Sequence, residues 1–196
     1  MVRARVGLPL LLLAGLAIGG LSLRAASATV LREVAFEAQS ASADRIFVGT
    51  VRSVESRPNP AAPRYLETLV AFAVEEVIAG DVASPLTLRF SGGQLGDVRQ
   101  SVDGLPELAV GERYVVFLER DQEPPLVSPV VGFNQGLYRV VEEGGRSVVR
   151  DRLGRPLPAG SGARAAATAA LTASPESAES EPSLDRFLEA VRAARR

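Results

Sequence analysis

The sequence contains no cysteine, histidine or tryptophan, and all 22 basic residues are arginine, so lysine is absent as well. Without cysteine and histidine, the chain cannot build an ordinary structural zinc site or a histidine-based catalytic metal site. A cysteine nucleophile, a Ser-His-Asp triad, a Ser-Lys dyad and a Schiff-base lysine are excluded too. Because only carboxylates, hydroxyls, arginine and backbone groups remain, we expect no cofactor, no metal and no enzymatic activity.

Aromatic residues make up only 5% of the chain, which argues against a surface that stacks sugars or nucleic acid bases. The formal net charge is −1. Removing residues 1–28 leaves 19 arginines against 23 acidic residues, a net charge of −4. Nucleic acid binding calls for a basic face, so a nucleic acid partner is disfavoured. No disulfide can stabilise the fold, but a domain of roughly 110–120 residues can bury a sufficient core without one.

Residues 1–28 have the three parts of a secretory signal peptide. Arg3 and Arg5 give a basic start, an uncharged run extends from Val6 to Leu23, and Ala26-Ser27-Ala28 provides a small-x-small cleavage site. The alternative is an uncleaved membrane anchor, since the run approaches the minimum length for a spanning helix. We expect cleavage after Ala28, a secreted or periplasmic protein, and no stable membrane insertion afterwards.

The first part of the expected mature chain, residues 29–157, is predicted to form one β domain. Residues 29–42 are predicted to start it with a short amphipathic helix that packs on one end of the domain. The apolar residues at helical spacing are Leu31, Val34, Ala35 and Ala38. A strand is predicted over 46–54, and the proline-rich residues 55–64 are predicted to form an exposed loop.

Residues 68–93 are predicted to form a strand, a Gly-Asp turn and a second strand. The first strand alternates through Val70, Phe72 and Val74, and the alternation then breaks at the adjacent Glu75 and Glu76. Two neighbouring charges inside an apolar alternation predict a β-bulge that bends the strand. The second strand is predicted over 86–90, with its apolar residues on one face.

Residues 92–111 form a long glycine-rich connection, of the kind that is either functional or poorly ordered. A central strand is predicted after it, from Arg113, and a hairpin over 137–151 turns at Glu142 to Gly145. The composition then changes, and residues 158–182 are predicted to be a flexible linker. Residues 183–196 are predicted to form a helix capped by Ser183, with Phe187 and Leu188 on its apolar face.

This order of elements predicts a mainly β fold: a five-to-six-stranded barrel of the oligonucleotide/oligosaccharide-binding (OB) type, with a short N-terminal helix and a C-terminal helix after the linker. Four segments carry a resemblance to the netrin-like module of the tissue inhibitors of metalloproteinases: ADRIFVGTV, EEVIAGD, LTLRFSGG and VGERYVVFLE. The same order is also similar to uncharacterised secreted bacterial proteins. The resemblance implies an OB-like barrel and a role in binding another protein.

The chain lacks the residue through which the inhibitor family acts. Those inhibitors present an N-terminal cysteine to a catalytic zinc, whereas this chain contains no cysteine and is expected to begin at Thr29. No inhibitory residue is therefore transferred, and the resemblance does not imply zinc chelation.

Several local patterns have competing interpretations. Asp97, Asp103 and Glu107 could hold calcium, but their spacing matches no calcium loop, so a solvated acidic loop is favoured. The glycines that follow Ser91 lack a phosphate-binding fingerprint and predict a turn. Three strand arginines are predicted to pair with neighbouring carboxylates rather than to form a basic stripe: Arg89, Arg139 and Arg150.

We expect a secreted, non-enzymatic module that binds a protein partner of unknown identity. Alternatives are an inhibitor or accessory domain of a secreted metalloprotease or other hydrolase, a structural envelope protein, and a hydrolase that uses only carboxylates. The C-terminal helix is expected either to meet a partner or to dock on its own domain. The candidate protein-contact residues are Gly92, Gly93, Asp97, Asp103, Asn134, Gln135, Phe187 and Leu188.

Overall fold

The computed structural model describes residues 32–122, 127–157, 161–169 and 181–196. Within these ranges the chain is mainly β, with eight antiparallel strands and three short helices. Six strands form one sheet in the order β3-β2-β1-β6-β7-β8, and β4 pairs with β5 in a small separate hairpin. The strands are β1 (Arg45–Asn59), β2 (Ala62–Ala79), β3 (Leu86–Ser91), β4 (Gly93–Leu95), β5 (Val98–Gln100), β6 (Arg113–Leu118), β7 (Leu137–Glu143) and β8 (Arg146–Arg150).

The main sheet buries apolar side chains on both faces because its central strands alternate between two cores. In β1, Ile46 and Val48 belong to one core, while Phe47 and Val51 belong to the other. The first core lies under the helices α1 (Phe36–Ser42), α2 (Gly162–Ala169) and α3 (Leu184–Ala194). The second core fills the concave side of the sheet. The central strand β6 is apolar on both faces, as predicted.

The sheet curls, but the described strands do not close into a barrel: no ladder joins β3 to β8 in the described ranges. The nearest approach to closure involves residues 127–130. Val130 bridges Leu118 at the end of β6, and the Val127 carbonyl accepts a hydrogen bond of 2.9 Å from the Ser91 backbone N–H at the end of β3. The mainly β prediction with short helices is confirmed at this coarser level.

The bulge predicted at Glu75 and Glu76 is confirmed. Gly49 pairs with Val74 and Val48 pairs with Glu76, so Glu75 is the extra residue on β2. Its carboxylate bonds Arg113 Nε at 2.8 Å, while Glu76 accepts from Arg192 Nη2 at 2.5 Å. The two adjacent carboxylates therefore have different arginine partners on different elements.

The prediction of an exposed loop over residues 55–64 is wrong. Strand β1 runs to Asn59 and β2 begins at Ala62, so a tight turn joins them. Paired with each other, the two strands extend beyond the positions at which they pair with β6 and β3. Asn59 Oδ1 accepts from the backbone N–H groups of Ala61 and Ala62, which stabilises the turn. The prolines are tolerated because this end of the hairpin is exposed and proline is compatible with exposed strand positions.

The N-terminal helix is shorter than predicted. Helix α1 begins at Phe36, and residues 32–35 are not helical. The backbone N–H of Val34 is held instead by Gln135 Oε1 at 2.8 Å. The buried face of α1 comprises Phe36, Gln39 and Ser40. Leu31 and the predicted signal peptide lie outside the described residues.

The predicted linker contains a helix. Within residues 158–182, Gly162–Ala169 forms α2, which packs against α1 and α3. Five of its eight residues are alanine, the strongest helix former, so a lack of large apolar side chains did not prevent helix formation. Pro182 also joins the fold, because its carbonyl accepts from the Val149 N–H at 2.9 Å. Residues 158–160 and 170–180 of this segment lie outside the described ranges.

Glycines with positive φ lie in the turn between β2 and β3 and in the turn between β7 and β8. The Gly-Asp turn predicted between β2 and β3 is confirmed, with Gly80 at φ +74°. In the β7–β8 hairpin, Glu143 pairs directly with Arg146, so the turn contains only Gly144 and Gly145. Both have positive φ, +56° and +75°, as a two-residue type I′ turn requires.

Candidate functional site

Residues 92–112 separate two surface cavities, and the sequence segment Leu105 to Glu107 contributes to both. Cavity A, of about 350 Å³, lies between this segment and the concave ends of β1, β2 and β3. Cavity B, of about 400 Å³, lies between the segment, the start of β6 and the turn that follows β8. The connection predicted to be functional or poorly ordered is thus an ordered part of two cavity walls.

Gly92 and Gly93 line cavity A and join β3 to the β4–β5 hairpin. Gly92 has φ +88°, and a Cβ there would lie 2.6 Å from the Gln100 carbonyl oxygen. Gly93 has φ +142°, and a Cβ there would collide with the hydroxyls of Ser56 and Thr68. Both glycines are therefore required by backbone conformation and close packing. The turn of this segment lies at Gly96 and Asp97, whereas Gly92 connects β3 to β4 and Gly93 begins β4. A role of Gly92 and Gly93 in partner contact stays a prediction.

The β4–β5 hairpin is anchored to the β1–β2 hairpin by side-chain hydrogen bonds. Gln100 accepts from the Leu66 N–H at 2.6 Å and donates to the Arg64 carbonyl at 2.8 Å. On the neighbouring strand, the Gln94 N–H donates to Ser56 Oγ at 3.1 Å. These bonds attach both strands of the hairpin to the β1–β2 hairpin. Two apolar side chains are exposed there, Leu95 at 45% and Val98 at 56%.

Asp97 and Asp103 are exposed and line neither cavity. Glu107 forms an ion pair with Arg99 at 2.5 Å. Among the described residues, no three acidic side chains lie close enough together to hold a metal ion. The three acids are solvated or ion-paired on the surface of the segment.

Asn134 and Gln135 lie in the turn before β7. Asn134 is buried, and its Nδ2 has no hydrogen-bond partner among the residues that the structure describes. Gln135 binds the chain's own N-terminal segment: its Oε1 accepts from the Val34 N–H at 2.8 Å and its Nε2 donates to the Arg32 carbonyl at 2.9 Å. This amide therefore recognises a peptide backbone, and that backbone belongs to the same molecule.

Phe187 and Leu188 are buried, with exposures of 0% and 2%. The Phe187 ring packs against Tyr138 at a centroid distance of 4.8 Å and against Phe36 at 5.4 Å. Of the two alternatives for the C-terminal helix, the structure shows docking on its own domain. Its apolar face is not available as a contact surface, and the predicted Ser183 cap is present, since Ser183 Oγ accepts from the Arg186 N–H.

The pairing predicted for the strand arginines is confirmed. Arg139 Nη2 lies 2.6 Å from Glu112 Oε1, and Arg150 Nη2 lies 2.7 Å from Glu143 Oε1. Arg89 lies 3.8 Å from a carboxylate oxygen of Glu67 on the adjacent strand β2. Leu69 is directly opposite Arg89 and Tyr114 is directly opposite Arg139, so the carboxylates lie at neighbouring positions rather than opposite their arginines. The identity of each partner therefore depends on the strand order as well as on the alternation.

Cavity B contains a cluster that sequence reasoning missed. Tyr114 donates to Glu112 Oε2 at 2.5 Å, and Glu112 is also paired with Arg139. Burial and the bond to this carboxylate raise the pKa of Tyr114 far above its usual range. The signal was the spacing of Glu112 and Tyr114, since residues two apart on a strand share a face. The contribution of β7 could not be read without the strand order.

Glu107 and Glu112 both line cavity B, so two carboxylates do share a cleft. Each already has an arginine partner, Arg99 for Glu107 and Arg139 for Glu112. Glu112 also accepts from the Tyr114 hydroxyl and the Ala109 N–H. These contacts use the carboxylates as hydrogen-bond acceptors that hold the cavity wall together.

Fold and site together define a mainly β domain with one curled antiparallel sheet, helices on its convex face and two cavities on either side of a glycine-rich segment. The chain matches no family model, no curated protein and no solved structure with which it was compared. Among the helices in the described ranges, none combines the length and the apolar character needed to cross a bilayer.

Proposed function

We propose that this chain is a secreted or periplasmic, non-enzymatic module that binds another protein through the tip of the β4–β5 hairpin. The observation that carries the proposal is the exposure of Leu95 and Val98 side by side on an anchored hairpin. These residues are directly paired across the two strands, so their side chains lie on the same face. Exposed apolar groups on a rigid support typically mark protein interaction sites.

The finer fold belongs to the same proposal. We interpret the curled sheet as an OB-like barrel that residues 127–130 bring towards closure between β3 and β6. The support is the Val127–Ser91 hydrogen bond and the Leu118–Val130 bridge. In an OB-type barrel the face of the second and third strands contributes to the binding surface, and the β4–β5 hairpin directly follows β3.

A non-enzymatic role fits the chemistry that the chain contains. Catalysis by carboxylates alone needs one acid to donate a proton and another to act as base or nucleophile. Glu107 and Glu112, the two acids of cavity B, are each engaged with an arginine. The partner is proposed to be a protein of the same compartment, such as a secreted or envelope hydrolase.

The test is a quantitative pull-down from the exported proteins of the source organism with the purified chain as bait. We expect the double variant Leu95→Asp/Val98→Asp to lose the captured protein, because two charges replace the apolar contact. Val110→Asp is the matched control, since Val110 is 65% exposed at the other end of the same segment. Thermal unfolding of each variant verifies the fold. Equal capture by the double variant would exclude the hairpin tip as the contact.

A further inference from the structure

Cavity B has a positive charge that nothing in the described structure neutralises. Arg152 lines the cavity and is half-buried. The other charged groups of its wall are matched, Glu112 with Arg139 at 2.6 Å and Glu107 with Arg99 at 2.5 Å. Within the described ranges, Arg152 has no hydrogen bond and no ion pair. The cavity therefore presents one unmatched guanidinium.

The turn that carries Arg152 is held rigid by its neighbours. Asp151 Oδ1 accepts from the backbone N–H groups of Leu153 at 2.9 Å and Arg155 at 2.8 Å. Its second oxygen bonds Arg155 Nε at 2.7 Å. The Gly154 carbonyl accepts from Arg150 Nη1 at 3.2 Å. Because the turn is fixed on both sides, Arg152 and Leu153 are presented to the cavity in a preorganised position.

Three apolar residues line the same cavity as Arg152. Leu105, Pro106 and Leu153 line the cavity, and Leu153 is 55% exposed. A ligand that combined one negative charge with an apolar body would contact both features at once. The volume of about 400 Å³ is at the lower end of the range for small-molecule sites.

We propose that cavity B binds a monocarboxylate with an apolar body, with the carboxylate on Arg152 and the apolar body against Leu105, Pro106 and Leu153. A guanidinium and a carboxylate form two parallel hydrogen bonds, which gives this pair its strength and direction. A phosphate dianion fits less well, because Glu107 and Glu112 lie in the same wall and repel a second negative charge. The carboxylate can come from the C-terminus of a peptide or from a free organic acid.

The experiment titrates the ¹⁵N-labelled chain with four probes: a short acetylated peptide ending in leucine, the same peptide with an amidated C-terminus, octanoate, and inorganic phosphate. We expect saturable shifts of the Arg152, Leu153 and Leu105 amide signals with a carboxylate probe, and none with the amidated peptide or phosphate. Binding by the peptide alone identifies a peptide C-terminus, and binding by octanoate alone identifies a free acid; either result supports the site.

The variant Arg152→Gln removes the charge and keeps a side chain of similar length. We expect it to weaken carboxylate binding by roughly tenfold or more, the range for a lost charge-assisted hydrogen bond. Arg52→Gln is the matched control, because Arg52 is exposed on β1 and likewise has no ion pair in the described structure. Equal binding by Arg152→Gln, equal binding of the amidated peptide, or no saturation by either carboxylate probe would overturn the proposal. The site does not depend on the hairpin tip.

Discussion

Glu67 on β2 is a buried carboxylate, with only 2% of its side chain exposed. Arg57 Nε on β1 lies 2.8 Å from it, and Arg89 Nη1 on β3 lies 3.8 Å away on the other side. The three side chains form a row across three strands. Ion pairing compensates for the cost of burying the carboxylate, which would otherwise be several kcal/mol.

Replacing Glu67 by Gln tests this row. The amide keeps the shape but loses the charge, so we expect the free energy of unfolding to fall by about 1–3 kcal/mol, the range for hydrogen bonds to charged groups. Glu55→Gln is the control, because Glu55 is an exposed acid on β1. Urea unfolding monitored by circular dichroism measures both. Equal stability of the two variants would show that the arginines cover Glu67 without stabilising it.

The residue-scale predictions were best where a single strand or turn decided the outcome. The Ser183 cap of α3 and the turn at Gly144 and Gly145 followed from the local sequence. The Tyr114–Glu112–Arg139 cluster needed the additional information that β6 and β7 are neighbours, which places Tyr114 opposite Arg139. No property of Arg139 in the sequence identifies that partner.

At the scale of elements, α3 holds the helical face of the domain together. Phe187 contacts the rings of Phe36, Phe117 and Tyr138, with centroid distances of 4.8 to 6.5 Å. Arg195, directly after the helix, donates to the carbonyls of Ser40 and Ala43 at the end of α1. The last residues of the described chain thus stabilise the first helix.

Phe187→Ala tests how much α3 contributes. We expect a loss of about 3–5 kcal/mol, typical for removal of a buried phenylalanine. Faster hydrogen exchange in α1 should accompany it, because the two helices share the same core. The control is Glu189→Ala, an exposed position on the same helix. A loss below 1 kcal/mol, or unchanged exchange in α1, would contradict a shared core.

The predicted boundaries of helices and strands were wrong where they were based on composition and not on the spacing of apolar residues. Prolines near Asn59 predicted a loop, yet an exposed hairpin end accommodates them. The alanine-rich segment predicted as linker contains α2, because neighbouring helices provide the packing that its small side chains need. The prediction of a bulge at Glu75 was correct because it was based on a break in the two-residue alternation of apolar side chains.

At the scale of the whole molecule, the absence of lysine and cysteine simplifies alkaline titration. Arginine stays protonated, so tyrosine is the main type of side chain in this protein whose ordinary pKa lies near 10. Burial and Glu112 raise the pKa of Tyr114 well above its usual value, and burial raises that of Tyr138 similarly. The folded state therefore keeps these two protons after the unfolded state has lost them.

It follows that stability falls as the pH rises above about 10, because the unfolded state then binds fewer protons than the folded state. Each of the two tyrosines is expected to lower the free energy of unfolding by about 1.4 kcal/mol per pH unit in that window. Urea unfolding between pH 8 and about 12 measures the slope. Tyr138→Phe should roughly halve it. A slope that Tyr138→Phe leaves unchanged would contradict the assignment, and Tyr65→Phe, at a side chain 52% exposed, is the control.

By itself, the sequence determined which classes of chemistry the chain can perform and the positions of its main strands, because residue type and two-residue alternation are local properties. The absence of cysteine, histidine and lysine excludes whole classes of mechanism, and the alternation through Leu88 and Phe90 specifies which face is buried. The tertiary structure decided which elements meet: the curl of the sheet, the docking of Phe187 and the unmatched charge of Arg152 in cavity B. These depend on strand order and helix packing, in which residues far apart in the chain become neighbours.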